Sequence, residues 1–236
     1  MQKQHMPVSL VTSGDADIQI DIKNYQHIAH KFTGFDPFCS HHVLSADVVV
    51  NHITYSTGSY FFNGKLPIWS FKKEVADPCF NMPFSYLVKD MAGKINRIAF
   101  KMKASDADVA AMAKEAKAAA DKESDDAIWK IMKLGASNNP AAVPALKEIA
   151  GSDDRFVSAC ALGALGTLNA AEEVPFVIKA YETGDEVAQY MAFKAIGDFA
   201  FGGSQEAIEY INKVKALPKD DKSLAVLNYL DNVYTK

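Results

Sequence analysis

The sequence predicts an α+β protein, with an antiparallel β-sheet or half-barrel over residues 1–104 and an α-solenoid of helical pairs over residues 105–236. Three observations predict it. Apolar residues alternate with polar ones in the first part, whereas in the second they recur at i, i+3, i+4 and i+7. Composition changes near residue 104, from a net charge of +3 to one of −7. A 31-residue repeat runs through the second part alone.

The elements of the first part follow in order. "DADIQIDIK" (15–23) sets Ile18, Ile20 and Ile22 on one face against Asp17, Gln19 and Asp21 on the other, the pattern of a half-buried strand. "VLSADVVV" (43–50), "ITYSTGSYFF" (53–62), "FSYLVKD" (84–90) and "INRIAFKM" (95–102) read as further strands, and "LPIWSFKKEV" (66–75) as another. Asn63-Gly64, Asp77-Pro78 and Gly93 read as the turns between them, with a hairpin around Gly93.

In the second part, about eight amphipathic runs make four antiparallel helical pairs. Asp154 before Arg155 and Asp185 before Glu186 are placed to cap helices, because their carboxylates can accept the unpaired N–H groups of a first turn. Gly135, Gly166 and Gly197 are spaced 31 residues apart, as are Leu134, Leu165 and Ile196, and Val143-Pro144 recurs as Val174-Pro175. A fixed period of this length means that each pair completes its core against the next. "DDRFVSACALGALGTL" resembles the second helix of HEAT-like repeats of the phycobilisome-lyase type, whose pattern runs from an acidic residue through Val and alanines to Ala-Leu-Gly. The resemblance covers roughly residues 107–236 and implies a solenoid that binds a protein partner. It departs at Ser158 and Ala188, where members of that family usually carry arginine. HEAT-like di-iron hydroxylases use His-Glu pairs on such helices, and the absence of histidine after residue 104 excludes that chemistry here.

A net charge of −4, with no basic run longer than Lys72-Lys73, argues against a nucleic-acid partner. No apolar stretch reaches the ~18 residues of a membrane span, and no signal peptide is legible, so the expected compartment is the cytoplasm. Cys39, Cys79 and Cys160 do not form a disulfide framework. Cys39 and Cys79 each follow an Asp-Pro pair and could bridge if those turns met, whereas Cys160 reads as a small buried residue.

Candidate chemistry is confined to the first part, which holds all six histidines. "GFDPFCSHHV" (34–43) offers Cys39, His41 and His42 as ligands for a transition metal, with Cys39 and His41 on one face of a strand and His42 on the other. His27, His30 and His52 lie nearby in sequence but at no ligand spacing. "SFKK" (70–73) matches Ser-x-x-Lys without the other elements of penicillin-recognising enzymes, and "GSYFFNGKL" (58–66) lacks the spacing of a phosphate loop. "PFSYLVKDMAGKINRIAFKM" (83–102) resembles the small β-domain of β-lactamase-related serine hydrolases, which implies an accessory, ligand-covering domain. Tyr60, Phe61, Phe62, Trp69 and Phe71 could line an apolar ligand cavity. Trp129, Phe156, Phe176 and Tyr190 read as solenoid core, with any exposed subset on the second-helix face forming a peptide groove. The function expected from these observations is a non-catalytic scaffold presenting an acidic concave surface. The alternative is a metal- or Cys/His-dependent enzyme.

Overall fold

The computed structural model describes residues 16–30, 38–65, 71–122, 124 and 126–216. Three long strands open the fold: β1 (Ile18–His30), β2 (Phe38–Val50) and β3 (Ile53–Lys65). They form one antiparallel sheet in the order β1-β2-β3. The hairpin between β2 and β3 turns at Asn51 and His52, both in the left-handed region at φ 51° and 65°, the requirement of a two-residue turn that follows strand twist. The expected turn at Asn63-Gly64 is therefore corrected. Those residues continue β3 and pair with Ser40 and Cys39.

A larger correction follows β3. Phe71–Asn81 forms a wide π-helical segment, α1 runs Met82–Ile95, and a π-helical turn, Asn96–Phe100, ends it. The strands expected at 84–90 and 95–102, and the hairpin about Gly93, are thus one helix. Asp77-Pro78 is likewise helical, as are residues 71–75; Trp69 and Ser70 lie outside the described residues. Tyr86, Leu87, Met91 and Ile95 do recur at helical spacing and are buried. The pattern was obscured because Asp90 and Lys94, which flank Gly93 in the expected hairpin, are buried with them. With the hairpin goes the basis of the likeness to β-lactamase-related domains.

Seven helices follow: α2 (Asp106–Ala120), α3 (Ala127–Gly135), α4 (Val143–Ile149), α5 (Arg155–Leu168), α6 (Val174–Thr183), α7 (Glu186–Phe201) and α8 (Gln205–Ala216). The run expected at 223–234 lies outside the described residues. Asp154 accepts from the N–H groups of Phe156 (2.8 Å) and Val157 (3.1 Å), and Asp185 from that of Ala188 (2.9 Å), so both caps form as their sequence positions require. Helices α2/α3, α4/α5 and α6/α7 make antiparallel pairs whose second members stack as α3-α5-α7.

The 31-residue period has a direct physical cause. A side chain on Gly135 would meet Ala164 at 2.8 Å, and one on Gly166 would meet the Ala195 backbone at 2.6 Å. Each glycine lies against the alanine two places before the next one, and so sets how closely successive second helices approach. Trp129, Phe156, Phe176 and Tyr190 are half-buried and pack against the core, as their spacing predicts. Because Ala195 meets Gly166 through backbone, Gly166→Val has no flexible neighbour to displace. We expect a loss of about 3 kcal/mol in urea-unfolding free energy, while Gly203→Ala, which has open space around it but a φ of 90°, should cost less.

Candidate functional site

The second-helix row of a solenoid is ordinarily its open, concave face. Here α5 and α7 are almost wholly buried, because α1 and β3 lie against them. Gly93 of α1 closes onto Ala136 and Thr167, and Tyr86 reaches Gly163. The expected acidic concave surface is therefore corrected along α5 and α7: the chain fills its own groove.

The fastening is a square of charges. Asp90 and Lys94 stand one turn apart on α1, and Lys194 and Asp198 one turn apart on α7. Lys94 Nζ lies 2.8 Å from Asp90 and 2.6 Å from Asp198, and Lys194 Nζ lies 2.9 Å from Asp90 and 2.8 Å from Asp198. All four side chains are at most 1% exposed. The remaining donors are taken up. Lys94 also donates to the Gly58 carbonyl of β3, and Lys194 to the Gly163 carbonyl (2.9 Å) and the Thr167 hydroxyl (3.0 Å). Thr167 donates to Asp90, and Arg97 to the Thr167 carbonyl. Burial alone would push the Asp90 carboxyl up, but the Lys194 and Lys94 charges outweigh it and hold the group well below the usual carboxylate range. Burial opposes the Lys194 charge, yet Asp198 and Asp90 raise its pKa overall. Chemically this is a structural clamp. Each charge is met by two of opposite sign, and no side of the square is open to a substrate.

The Cys39-His41-His42 stretch divides as strand alternation demands. His41 Nδ1 is 2.9 Å from the Tyr60 hydroxyl, and its ring lies near Phe62 and Tyr190, on the face toward α7. Cys39, two residues before His41 on β2, shares that face, and burial first and Glu186 second hold the Tyr190 phenol in the protonated form. His42 points to the opposite face, donates from Nε2 to the Cys79 carbonyl (2.7 Å), and stacks on His27 with ring centres 4.4 Å apart. Burial pushes the His42 pKa down to about 4, so its ring is neutral at physiological pH. The structure thus brings Cys39 and His41 to one side and separates His42 from them. Among the described residues, no group of three or more His, Cys, Asp or Glu side chains is placed to hold a metal ion. Cys39, Cys79 and Cys160 are all thiols, and burial raises Cys160 to about 12, as suits a small core residue. Tyr60 and Phe61, expected as cavity lining, point to opposite faces and pack on Tyr190 and Tyr86. Trp69 lies outside the described residues.

Two surfaces stand out among the described residues, and composition alone marked neither of them. One is apolar. Ile22, Tyr25, Ile53 and Tyr55 pair with Ala46, Leu44, Val50 and Val48, so all four lie on the sheet face that α1 covers only in part. Phe84 and Val88, one turn apart on α1, continue the band through an edge-to-face contact of Phe84 with Tyr25 (5.5 Å). These six side chains are 40–56% exposed. The other is a cleft between α1, residues 102–104, α2 and α3.

Two outcomes test this description. Lys94→Met leaves two buried carboxylates sharing one ammonium, so it should cost about 3–5 kcal/mol. Adding Asp198→Leu should recover part of that loss in a double-mutant cycle of unfolding free energies. His42, whose folded pKa lies below the ordinary 6.5, is protonated first in the unfolded chain. Stability should therefore fall as pH drops from about 6.5 to about 4, by on the order of 2 kcal/mol, and His42→Gln should flatten that slope.

Residues 109–197 match the family model described as HEAT repeats. The match coincides with α2 to the middle of α7, and so with the Gly-on-Ala stack, and it does not extend to the finer phycobilisome-lyase type. No curated protein and no solved structure matches the chain with significance. Residues 109–197 are HEAT-like helical repeats, carried in an α+β protein whose sheet and first helix lie in the solenoid groove.

Proposed function

We propose that this protein is a non-catalytic interaction module that grips a protein partner through the apolar band Ile22–Tyr25–Ile53–Tyr55–Phe84–Val88. The band carries the reading. Folded chains rarely leave several large apolar side chains contiguous and half-exposed, and those that do generally cover them with a partner. On this reading labour divides near residue 104. The HEAT-like repeats form a rigid mount, and the sheet with α1, clamped into the groove, presents the contact face. That differs from repeats that bind through an open concave side, and it follows from α5 and α7 being covered within the chain.

Two details support a face-on contact over pairing along the outer edge of β1, which has no strand beyond it among the described residues. That edge carries a bulge between Ile22 and Asn24, and Lys23 there is tied to Asp21 and Asp47. A bulge and an inserted charge are common devices that discourage another strand from adding to an edge. The partner is read as a protein, not nucleic acid, on the net charge of −4. Among the described residues no helix is long and apolar enough to cross a membrane. Three cysteines in 236 residues, too few for a disulfide framework, favour a reducing compartment such as the cytoplasm. The Cys39–His41 pair is kept as a second, metal-related reading only to the extent that elemental analysis of purified protein finds a stoichiometric transition metal.

Site-specific photocross-linking tests the main reading. A photoreactive phenylalanine at position 84 should give one discrete protein adduct in cells, and the same probe at Lys179, exposed on α6, should not. Tyr25→Lys with Ile22→Lys should abolish the adduct and leave unfolding free energy within about 1 kcal/mol, as for exposed positions generally. Equal labelling from both positions would defeat the proposal. An adduct between two copies of the chain, confirmed by sedimentation, would make the partner a second copy.

A further inference from the structure

The cleft beside α2 and α3 has a volume of about 560 Å³ and shares no residue with the apolar band. Its apolar surface comes from Met102, Met112, Trp129 and Met132. Three lysines, Lys89, Lys103 and Lys133, also line it, with no acidic residue among the lining. None of the three makes an ion pair among the described residues, although the chain as a whole is acidic. Lys89 Nζ is held 3.9 Å from the centre of the Trp129 ring, which places an ammonium at the edge of apolar surface.

Asn96 adds a directional feature. The residue is 8% exposed, and its Nδ2 donates to the Met102 carbonyl at 2.8 Å, while its buried Oδ1 has no partner. A buried amide oxygen left without a donor is costly, and Asn96 belongs to the lining of the cleft, where a bound molecule can supply one. The walls are also fixed in advance. The Ala104 N–H donates to the Ser137 carbonyl (3.0 Å), Asn139 Nδ2 to the Ala104 carbonyl (2.9 Å), and Asn138 Nδ2 to the Met102 carbonyl (3.2 Å). These bonds pin residues 102–104 to the corner after α3, so little ordering remains to oppose binding.

From these features we infer that the cleft is a binding site for a small amphipathic carboxylate, with an apolar body and one N–H or O–H donor beside the acid group. The lysines meet the carboxylate, Trp129 and the methionines take the apolar body, and Asn96 Oδ1 accepts from the donor. The volume is that of a small-molecule site, and methionine side chains adapt to ligands of varied shape. The inference is independent of the protein partner proposed above.

The test is calorimetric titration of the full chain with N-octanoyl-L-phenylalanine, which carries all three features. Its C-terminal amide lacks the charge, and its N-methyl analogue lacks the donor. The acid should bind, and the amide and the N-methyl analogue should each bind at least about tenfold more weakly. Lys103→Ala with Lys133→Ala, both exposed and so harmless to folding, should weaken the acid by about tenfold, and added salt should weaken it further. Equal binding of acid and amide would show an unspecific greasy surface and overturn the inference, as would no binding of the acid up to its solubility limit. Tighter binding of acetyl-Ala-Ala-Phe than of the octanoyl compound would make the ligand a protein's C-terminus and overturn the small-molecule assignment.

Discussion

The buried square of Asp90, Lys94, Lys194 and Asp198 is the constraint on which the arrangement of this protein depends. It joins the helix that follows the sheet to the last second-helix of the described repeats, and through Gly58 it reaches the sheet itself. Its value is geometric more than energetic. Four charges removed from water recover little beyond their desolvation cost, but a displacement of α1 along α7 would strand them all. Apolar contact alone, such as Gly93 on Ala136, would accept neighbouring registers at small cost; the square accepts one. A surface band that depends on α1 and β1 being held side by side requires that kind of exactness.

The square also explains why the expected groove is absent. Solenoid repeats leave a concave face that a partner helix or strand can enter, and here α1 and β3 occupy it. The two parts carry opposite net charges, but the joint between them does not rest on that difference. Each side of the joint contributes one acid and one base, and is neutral in itself. Among the described residues, the joint leaves exposed the apolar outer side of α1 with the adjoining sheet, and the lysine-rimmed cleft at the first pair.

Much of the second part was legible in the sequence because its signals are local. Asp154 and Asp185 cap where they should, and Gly135 and Gly166 recur at the stacking interval because one packing contact recurs there. Three strands were legible for the same reason. The missed element was α1, and the cause is physical: its inward face carries Asp90 and Lys94, whose partners lie more than a hundred residues away. No local pattern shows that a charge will be buried. The Cys39-His41-His42 stretch was legible in its alternation, though not in its partners. Its composition suggested ligands and its spacing put His42 on the opposite face, but no local signal showed that His42 would bond the Cys79 carbonyl, 37 residues away. The cleft was invisible because Lys89, Asn96 and Trp129 meet only after α1 has docked.

The 104-residue spacing between the partners in the square carries a consequence for synthesis. Helix α1 leaves the ribosome with one buried-type acid, one buried-type base and an apolar face, and nothing to receive them. At about 5–20 residues per second, Lys194 and Asp198 follow roughly 5–20 s later. Until then the repeats can stack one on another as they emerge, while the sheet and α1 wait in solvent. The nascent chain therefore passes through a stage in which its groove is open and its own insert is the ligand, and any chaperone that recognises this protein has that interval in which to act.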